Sequence, residues 1–198
     1  MQTSSNRIRT ARAALVLSSC ALATAAALAQ SSAISLVAAA APPVGELERG
    51  SVVMLEYERL VSPAWSVFGR VSRLSYRWDD GFYVEEGDGN GFGLGMRWYP
   101  RQAMEGFYVG GALSLFKSDW DWREGARRGS GDTRSVQWGA EAGYRFKLGA
   151  KVSVTPAINV GSWLGSDGSC KNANGSACTK ESELGFYSAI SLSLSVLF

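Results

Sequence analysis

The chain has 198 residues, a mean hydropathy of −0.04, 23 glycines, seven Trp, seven Tyr, eight Phe and no histidine. The missing histidine excludes every Ser-His or Cys-His nucleophilic scheme and removes a common metal ligand. Setting Arg7, Arg9 and Arg12 aside as part of an export signal turns the formal charge from +2 to −1, so nothing points to nucleic acid.

Residues 1–29 read as a secretory signal. Arg7, Arg9 and Arg12 form a basic segment, Ala13 to Leu28 an apolar one, and Ala27-Leu28-Ala29 supplies small residues for cleavage before Gln30. A competing reading takes Leu17-Ser18-Ser19-Cys20 as a lipoprotein box, but it leaves too short an apolar segment after Arg12. No remaining apolar run is long enough for a transmembrane helix, which says nothing against a membrane β-barrel.

The remainder, residues 30–198, alternates apolar and small or polar residues in segments divided by turn signals. From Ser51 to Leu60, Val53, Leu55 and Tyr57 share one face, and Met54, Glu56 and Glu58 the other. After Ser62-Pro63, the segment Ala64 to Trp78 changes phase: Trp65, Val67 and Val71 have one parity, and Leu74, Tyr76 and Trp78 the other. A bulge near Ser72 is the expected remedy. Asp79 to Asn90 reads as a long polar loop.

Gly91 to Tyr99 then places Phe92, Leu94, Met96 and Trp98 outward and Arg97 inward. Beyond a turn at Pro100 to Gly106, Phe107, Val109, Leu113 and Leu115 alternate with Tyr108, Gly110, Ala112 and Ser114. Trp120 to Asp132 reads as a second long loop. Arg134 to Leu148 alternates Val136, Trp138, Ala140, Tyr144 and Phe146 with Gln137, Gly139, Glu141, Arg145 and Lys147. Lys151 to Leu164 repeats the pattern, and a third loop holds Cys170 and Cys178. In the last segment, Glu183 to Phe198, Leu184, Phe186, Ile190, Leu192, Leu194, Val196 and Phe198 fall on even positions and Gly185, Tyr187, Ala189, Ser191, Ser193 and Ser195 on odd ones. Its length suits a bilayer-crossing strand, and it stops on an aromatic residue.

Connections alternate short and long, as in outer-membrane barrels with an even strand number. If Phe198 lies at the periplasmic side, parity requires one further strand before Ser51, and Ala33 to Ala41 supplies it. The expected fold is all-β, an eight-stranded antiparallel up-and-down transmembrane β-barrel. Its long loops, Asp79–Asn90, Trp120–Asp132 and Cys170–Cys178, are then extracellular.

Within that scheme Glu56, Glu58, Arg97, Glu141 and Arg145 face the lumen, with Lys147 beside them. An eight-stranded interior is just filled by side chains, so a buried ion-pair network is expected, with an ion or proton path as the functional alternative. Trp98, Tyr99, Phe107, Tyr108, Phe146 and Phe198 are expected in a periplasmic aromatic belt. Trp78, Trp120, Trp122, Trp163 and Phe186 would form an outer one. Cys170 and Cys178 share one exported loop, which favours a disulfide over free thiols. Arg123, Arg127 and Arg128 lie among Asp119, Asp121, Glu124 and Asp132, and either form a solvated mixed-charge loop or touch lipopolysaccharide phosphates. The glycines of GFGLGMRW lie in a strand with no helix after it, so they form no phosphate cradle. No catalytic residue, metal site or cofactor emerges.

The punctuation Tyr57-Glu58-Arg59, Arg97 to Pro100, Gly106 to Gly110, Gly143 to Phe146 and Pro156 resembles a widespread family of small outer-membrane β-barrels. It is more distantly similar to OmpA-type and OmpW-type barrels. The resemblance covers roughly residues 35–198. It implies an eight-stranded barrel in the outer membrane, surrounded by lipid and lipopolysaccharide and inserted by the barrel-assembly machinery. It also implies that Phe198 serves as an assembly signal, and it supplies no catalytic residues. The expectation is a non-enzymatic surface or structural protein. The alternatives are an OmpW-like conduit for small apolar molecules and a soluble periplasmic lipocalin-like barrel.

Overall fold

The computed structural model describes residues 31–41, 47–102, 104–178 and 185–198, so the expected export signal at 1–29 lies outside the described residues. Eight strands follow in order: β1 (Ser32–Ala41), β2 (Leu47–Ser62), β3 (Trp65–Asp79), β4 (Tyr83–Trp98), β5 (Gly106–Glu124), β6 (Arg127–Lys147), β7 (Val152–Asn172) and β8 (Phe186–Leu197). Each pairs antiparallel with its neighbours, and β1 pairs with β8 from Ala33↔Leu197 to Ala40↔Ile190, closing the barrel. The first strand at Ser32–Ala41 confirms the count made from parity.

Closure satisfies every strand edge, the condition for backbone to cross a bilayer without a helix. The alternation does the rest. Leu36, Leu94, Leu113, Ile158 and Ile190 are each more than half exposed, on a continuous outward belt. In water that patch would far exceed what a monomer tolerates. The inward positions are polar or small: Ser35, Ser66, Ser153, Thr155, Ser191, Ser193 and Ser195 are buried. A lipocalin-like barrel reverses this pattern, with polar residues outside and an apolar cavity within, so that alternative is overturned. The barrel end that carries the short turns and Phe198 is sealed by Met104, Ala33 and Leu197, with Leu60 packed against them. Met104 reaches this plug from the β4–β5 turn with a positive φ of 57°.

Three expectations need correction. No bulge exists near Ser72, because β3 pairs with β4 in unbroken register from Trp65↔Trp98 to Asp79↔Val84. The change of phase has another cause. Val71 is the last apolar outward residue of β3; beyond it Arg73 and Ser75 face out, while Leu74 and Tyr76 take inward positions that are only partly exposed. The strand leaves the membrane there, so the solvent-facing side reverses. A shift does occur in β7, where Gln137 pairs with Trp163 and Val136 with Gly165, leaving Leu164 bulged.

The long polar loops are also mostly strand. Asp79–Asn90 is a tight turn at Asp80–Phe82 followed by β4, whose Glu85 to Asn90 pair with β3. Trp120–Asp132 is a β5–β6 hairpin turning at Gly125-Ala126, and β7 runs through Cys170 to Asn172. Their polar, Gly-rich composition conceals strands whose outer face stands in water while Glu85, Trp120 and Trp122 are buried on the inner face. The rest of the third loop, residues 179–184, lies outside the described residues.

The aromatic belts are only half right. Trp98, Phe107, Phe146 and Phe198 face outward, joined by Trp65 and Tyr144. Tyr99 and Tyr108, by contrast, are buried in the lumen, and Trp120 and Trp122 are buried above it. Of the expected outer belt, Phe186 is exposed on the wall.

Candidate functional site

The lower lumen is filled by charges from β2, β4 and β6. Arg97 projects between two strands that supply carboxylates, and its guanidinium donates to Glu56 Oε1 at 2.5 Å, Glu56 Oε2 at 2.9 Å and Glu58 Oε2 at 2.8 Å. Its Nε donates to Glu141. Arg145 Nη2 donates to Glu58 Oε2 at 2.6 Å, and its Nε to the Thr155 hydroxyl at 3.4 Å. Glu58 Oε1 accepts from the Tyr99 hydroxyl at 2.8 Å and from Ser66 at 2.5 Å. Arg70 approaches Glu141 at 3.9 Å. Three carboxylates thus face three guanidiniums, so the cluster carries no formal charge. The five expected residues lie in one network, whereas Lys147 pairs with Glu105 at 2.8 Å on the rim.

Aromatic faces complete the cage. The Arg97 guanidinium lies 4.2 Å from the Phe68 ring centre and 5.1 Å from that of Tyr108, and Tyr108 packs against Tyr99 at 5.4 Å. Sequence reasoning missed Ser66, Phe68, Arg70, Tyr99 and Tyr108 as members. The signal was present as parity: Tyr99 lies two residues from inward Arg97, and Ser66, Phe68 and Arg70 alternate with outward Trp65, Val67 and Val71. The cavity left among these groups is about 10 Å³. That is room for about one water molecule and no solute.

Above the membrane belt, β3 to β7 continue as a protruding curved sheet. Trp122 stacks on Tyr83 at 6.3 Å, and the Tyr76 and Tyr83 hydroxyls both donate to Glu85 at 2.7 Å. Burial, followed by these bonds to a carboxylate, pushes both phenols well above their ordinary range. Trp120 Nε1 donates to Thr133 at 2.9 Å. Glycines make room for the rings: a Cβ at Gly131 would collide with the Trp120 ring, and one at Gly129 would meet Trp122 Nε1 at 2.5 Å. The glycines of GFGLGMRW do the same lower down, where Gly91 and Gly95 face Phe116 and Phe68.

The hairpin ends are held by local bonds. Asp80 Oδ1 accepts from the amides of Tyr83 at 2.5 Å and Phe82 at 2.9 Å, and Asp79 Oδ1 from that of Gly81 at 2.9 Å, around a Gly81 φ of 87°. These backbone donors hold both carboxyls below the ordinary aspartate range. Cys170 and Cys178 are disulfide-bonded with Cα atoms 5.0 Å apart, clamping a turn at Gly175. Closing so short a loop contributes roughly 2.5 kcal/mol against unfolding. Arg127 pairs with Glu124 at 3.5 Å, and Arg128 stands opposite Arg123.

Residues 49–177 match the model of the autotransporter beta-domain family. No curated protein matches the chain in sequence. Among solved structures, the chain is similar to Ail, the attachment invasion locus protein of Yersinia pestis, at 11% identity with a TM-score of 0.56; 85% of this chain and 99% of that one are covered. It is also similar to a major outer membrane protein of Thermus thermophilus (11% identity, TM-score 0.54, 84% and 99% covered). Neisserial surface protein A is a third (11%, 0.51, 84% and 97%). At such identities the likeness is one of fold: a small antiparallel β-barrel.

Proposed function

The chain belongs to the autotransporter beta-domain family, and from that premise we propose a non-catalytic outer-membrane protein that works through its extracellular sheet. The observation that carries this reading is the contrast between a filled lumen and a tall outer wall. All three lumen carboxylates are engaged by arginines, which leaves no poised acid or base, and the chain has no histidine to replace them. β5, β6 and β7 run for 19 to 21 residues, about twice what a bilayer crossing needs. The surplus presents hairpins to the medium, with lipopolysaccharide around their base. An OmpW-like conduit would need an apolar opening through the wall, and the charged plug argues against it.

The test is labelling of intact cells at hairpin tips, using Phe82→Cys and Ala126→Cys with a membrane-impermeant maleimide. Both are expected to react without lysis; reaction only in broken cells would overturn the reading. Phe198 is proposed as the assembly signal by which the barrel-assembly machinery engages β8. Its amide and carbonyl each bond Ser32 at 2.9 Å, so it also fastens the closing seam. Deleting Phe198 is expected to lower outer-membrane levels, measured by heat-modifiable gel mobility, and normal levels would refute the assignment.

A further inference from the structure

Strand register sorts the outward residues of β3 to β6 into rows. The highest apolar row is Val71, Phe92, Leu115 and Val136, consecutive cross-strand partners on four strands. The next outward row is Arg73, Asn90, Lys117 and Arg134, again direct partners, ending against Asp167 on β7. All are exposed. Like charges placed directly opposite one another, as Lys117 and Arg134 are, destabilise a strand pair unless something outside neutralises them. The protein supplies little of that. Arg73 reaches Asp88 at 3.7 Å, but Lys117 and Arg134 make no ion pair among the described residues. Asp132, the acid nearest Arg134 on its own strand, accepts from Ser169 instead.

Beyond the basic row the surface changes again. Ser75, Asp88, Asp119 and Asp132 form the next outward row, then Arg77, Glu86, Asp121 and Ser130. A concavity of about 740 Å³ follows these two rows. Its lining is hydroxyl, carboxylate and guanidinium, with Trp120 and Gly131 between. The wall therefore reads, from the membrane outward, as apolar, cationic, then acidic and concave, with Glu86, Asp88, Asp119 and Asp121 placed to accept from sugar hydroxyls.

We propose that this wall docks one lipopolysaccharide molecule of the outer leaflet. Its acyl chains lie along the apolar rows, its lipid A phosphates meet Arg73, Lys117 and Arg134, and its first saccharides occupy the concavity. Arg73 to Arg134 spans three inter-strand spacings, about 14 Å, comparable with a diphosphorylated disaccharide headgroup. Guanidinium and ammonium groups are the natural partners of such phosphates. The proposal deepens the surface reading above and rests on it only for orientation; cell labelling tests that orientation separately.

The experiment uses the full mature chain in detergent micelles, with native mass spectrometry reading bound lipid. The probes are diphosphorylated lipid A, its monophosphorylated form and phosphatidylglycerol. The wild type is expected to retain diphosphorylated lipid A about tenfold better than phosphatidylglycerol, with the monophosphorylated form between them. The combined variant Arg73→Gln, Lys117→Gln, Arg134→Gln is expected to lose about tenfold or more, the loss of two to three charge-assisted contacts. Arg127→Gln with Arg128→Gln, at the hairpin tip, should leave binding unchanged. Equal retention of phosphatidylglycerol by the wild type would overturn the proposal, as would unaltered binding by the triple variant or an equal loss in the tip variant. Heat-modifiable mobility reports folding. Should the triple variant fail to fold, Lys117→Gln alone is expected to lose severalfold, and no loss there overturns the proposal equally.

Discussion

Arg97 is shared by Glu56, Glu58 and Glu141, so replacing it with methionine would leave three carboxylates facing one another with Arg145 and Arg70 alone to offset them. Breaking a buried ion cluster from one side costs roughly 3–5 kcal/mol. Urea unfolding of Arg97→Met in lipid vesicles, followed by tryptophan fluorescence, should show a loss of that size; a loss below about 1 kcal/mol, the worth of an exposed pair, would mean the cluster is hydrated and loose. Asp80 gives a residue-scale prediction at the other end of the molecule. Its folded pKa is lowered by the Tyr83 and Phe82 amides, so its contribution is present above the unfolded aspartate value and is lost as pH falls through the folded one. Amide hydrogen exchange at Phe82 and Tyr83 should therefore lose protection below about pH 4, the ordinary aspartate range, while the β1–β8 seam keeps its protection. Protection that is the same at neutral pH and below about pH 4 would show that the turn does not depend on the carboxylate. At this scale the sequence was informative wherever parity applied. Arg97 and Glu58 were legible as lumen residues, whereas Tyr99 was not, because an aromatic at a strand end fits two environments and only its phase decides between them.

Among the elements, the glycines carry more than turn chemistry. A Cβ at Gly143 would come within 2.7 Å of the Tyr108 hydroxyl and 2.8 Å of its ring, while Gly165 has open space around it. Gly143→Ala is expected to displace the ring that covers Arg97 and to destabilise by about 1–3 kcal/mol. Gly165→Ala should be nearly neutral. Refolding yields by gel mobility, compared side by side, check the contrast; equal yields would mean that Tyr108 has room to move. The strands inside the membrane were readable from the sequence because lipid imposes one apolar face on them. The extramembrane lengths of β4 to β7 were not, since their outward face carries Asp, Ser, Lys and Arg in place of apolar residues, and together with the glycines of the inner face these imitate a loop. The shift at Leu164 was illegible for the same reason, lying where the belt gives way to solvent.

At the scale of the molecule, an eight-stranded barrel whose lumen is crossed by a charged cluster with a cavity of only about 10 Å³ should not conduct. Planar bilayers carrying the wild-type chain are expected to stay at baseline current; steady channel openings would mean that the plug rearranges. Strand number was legible only globally, because Ala33 to Ala41 has weak alternation and is required by closure rather than by its own pattern. Closure also has a geometric outcome. β1 and β8, which meet at the seam, have 10 and 12 residues, while β6 and β7 have 21 each. Among the described residues the cylinder is cut obliquely, like a quill, with a short side and a tall side. Viewed down the membrane normal, such a body has a heading, and its bearing in the plane of the bilayer becomes a physical variable. Whatever grips the tall side from outside fixes which way the seam points, and so which neighbours in the crowded membrane that seam can meet.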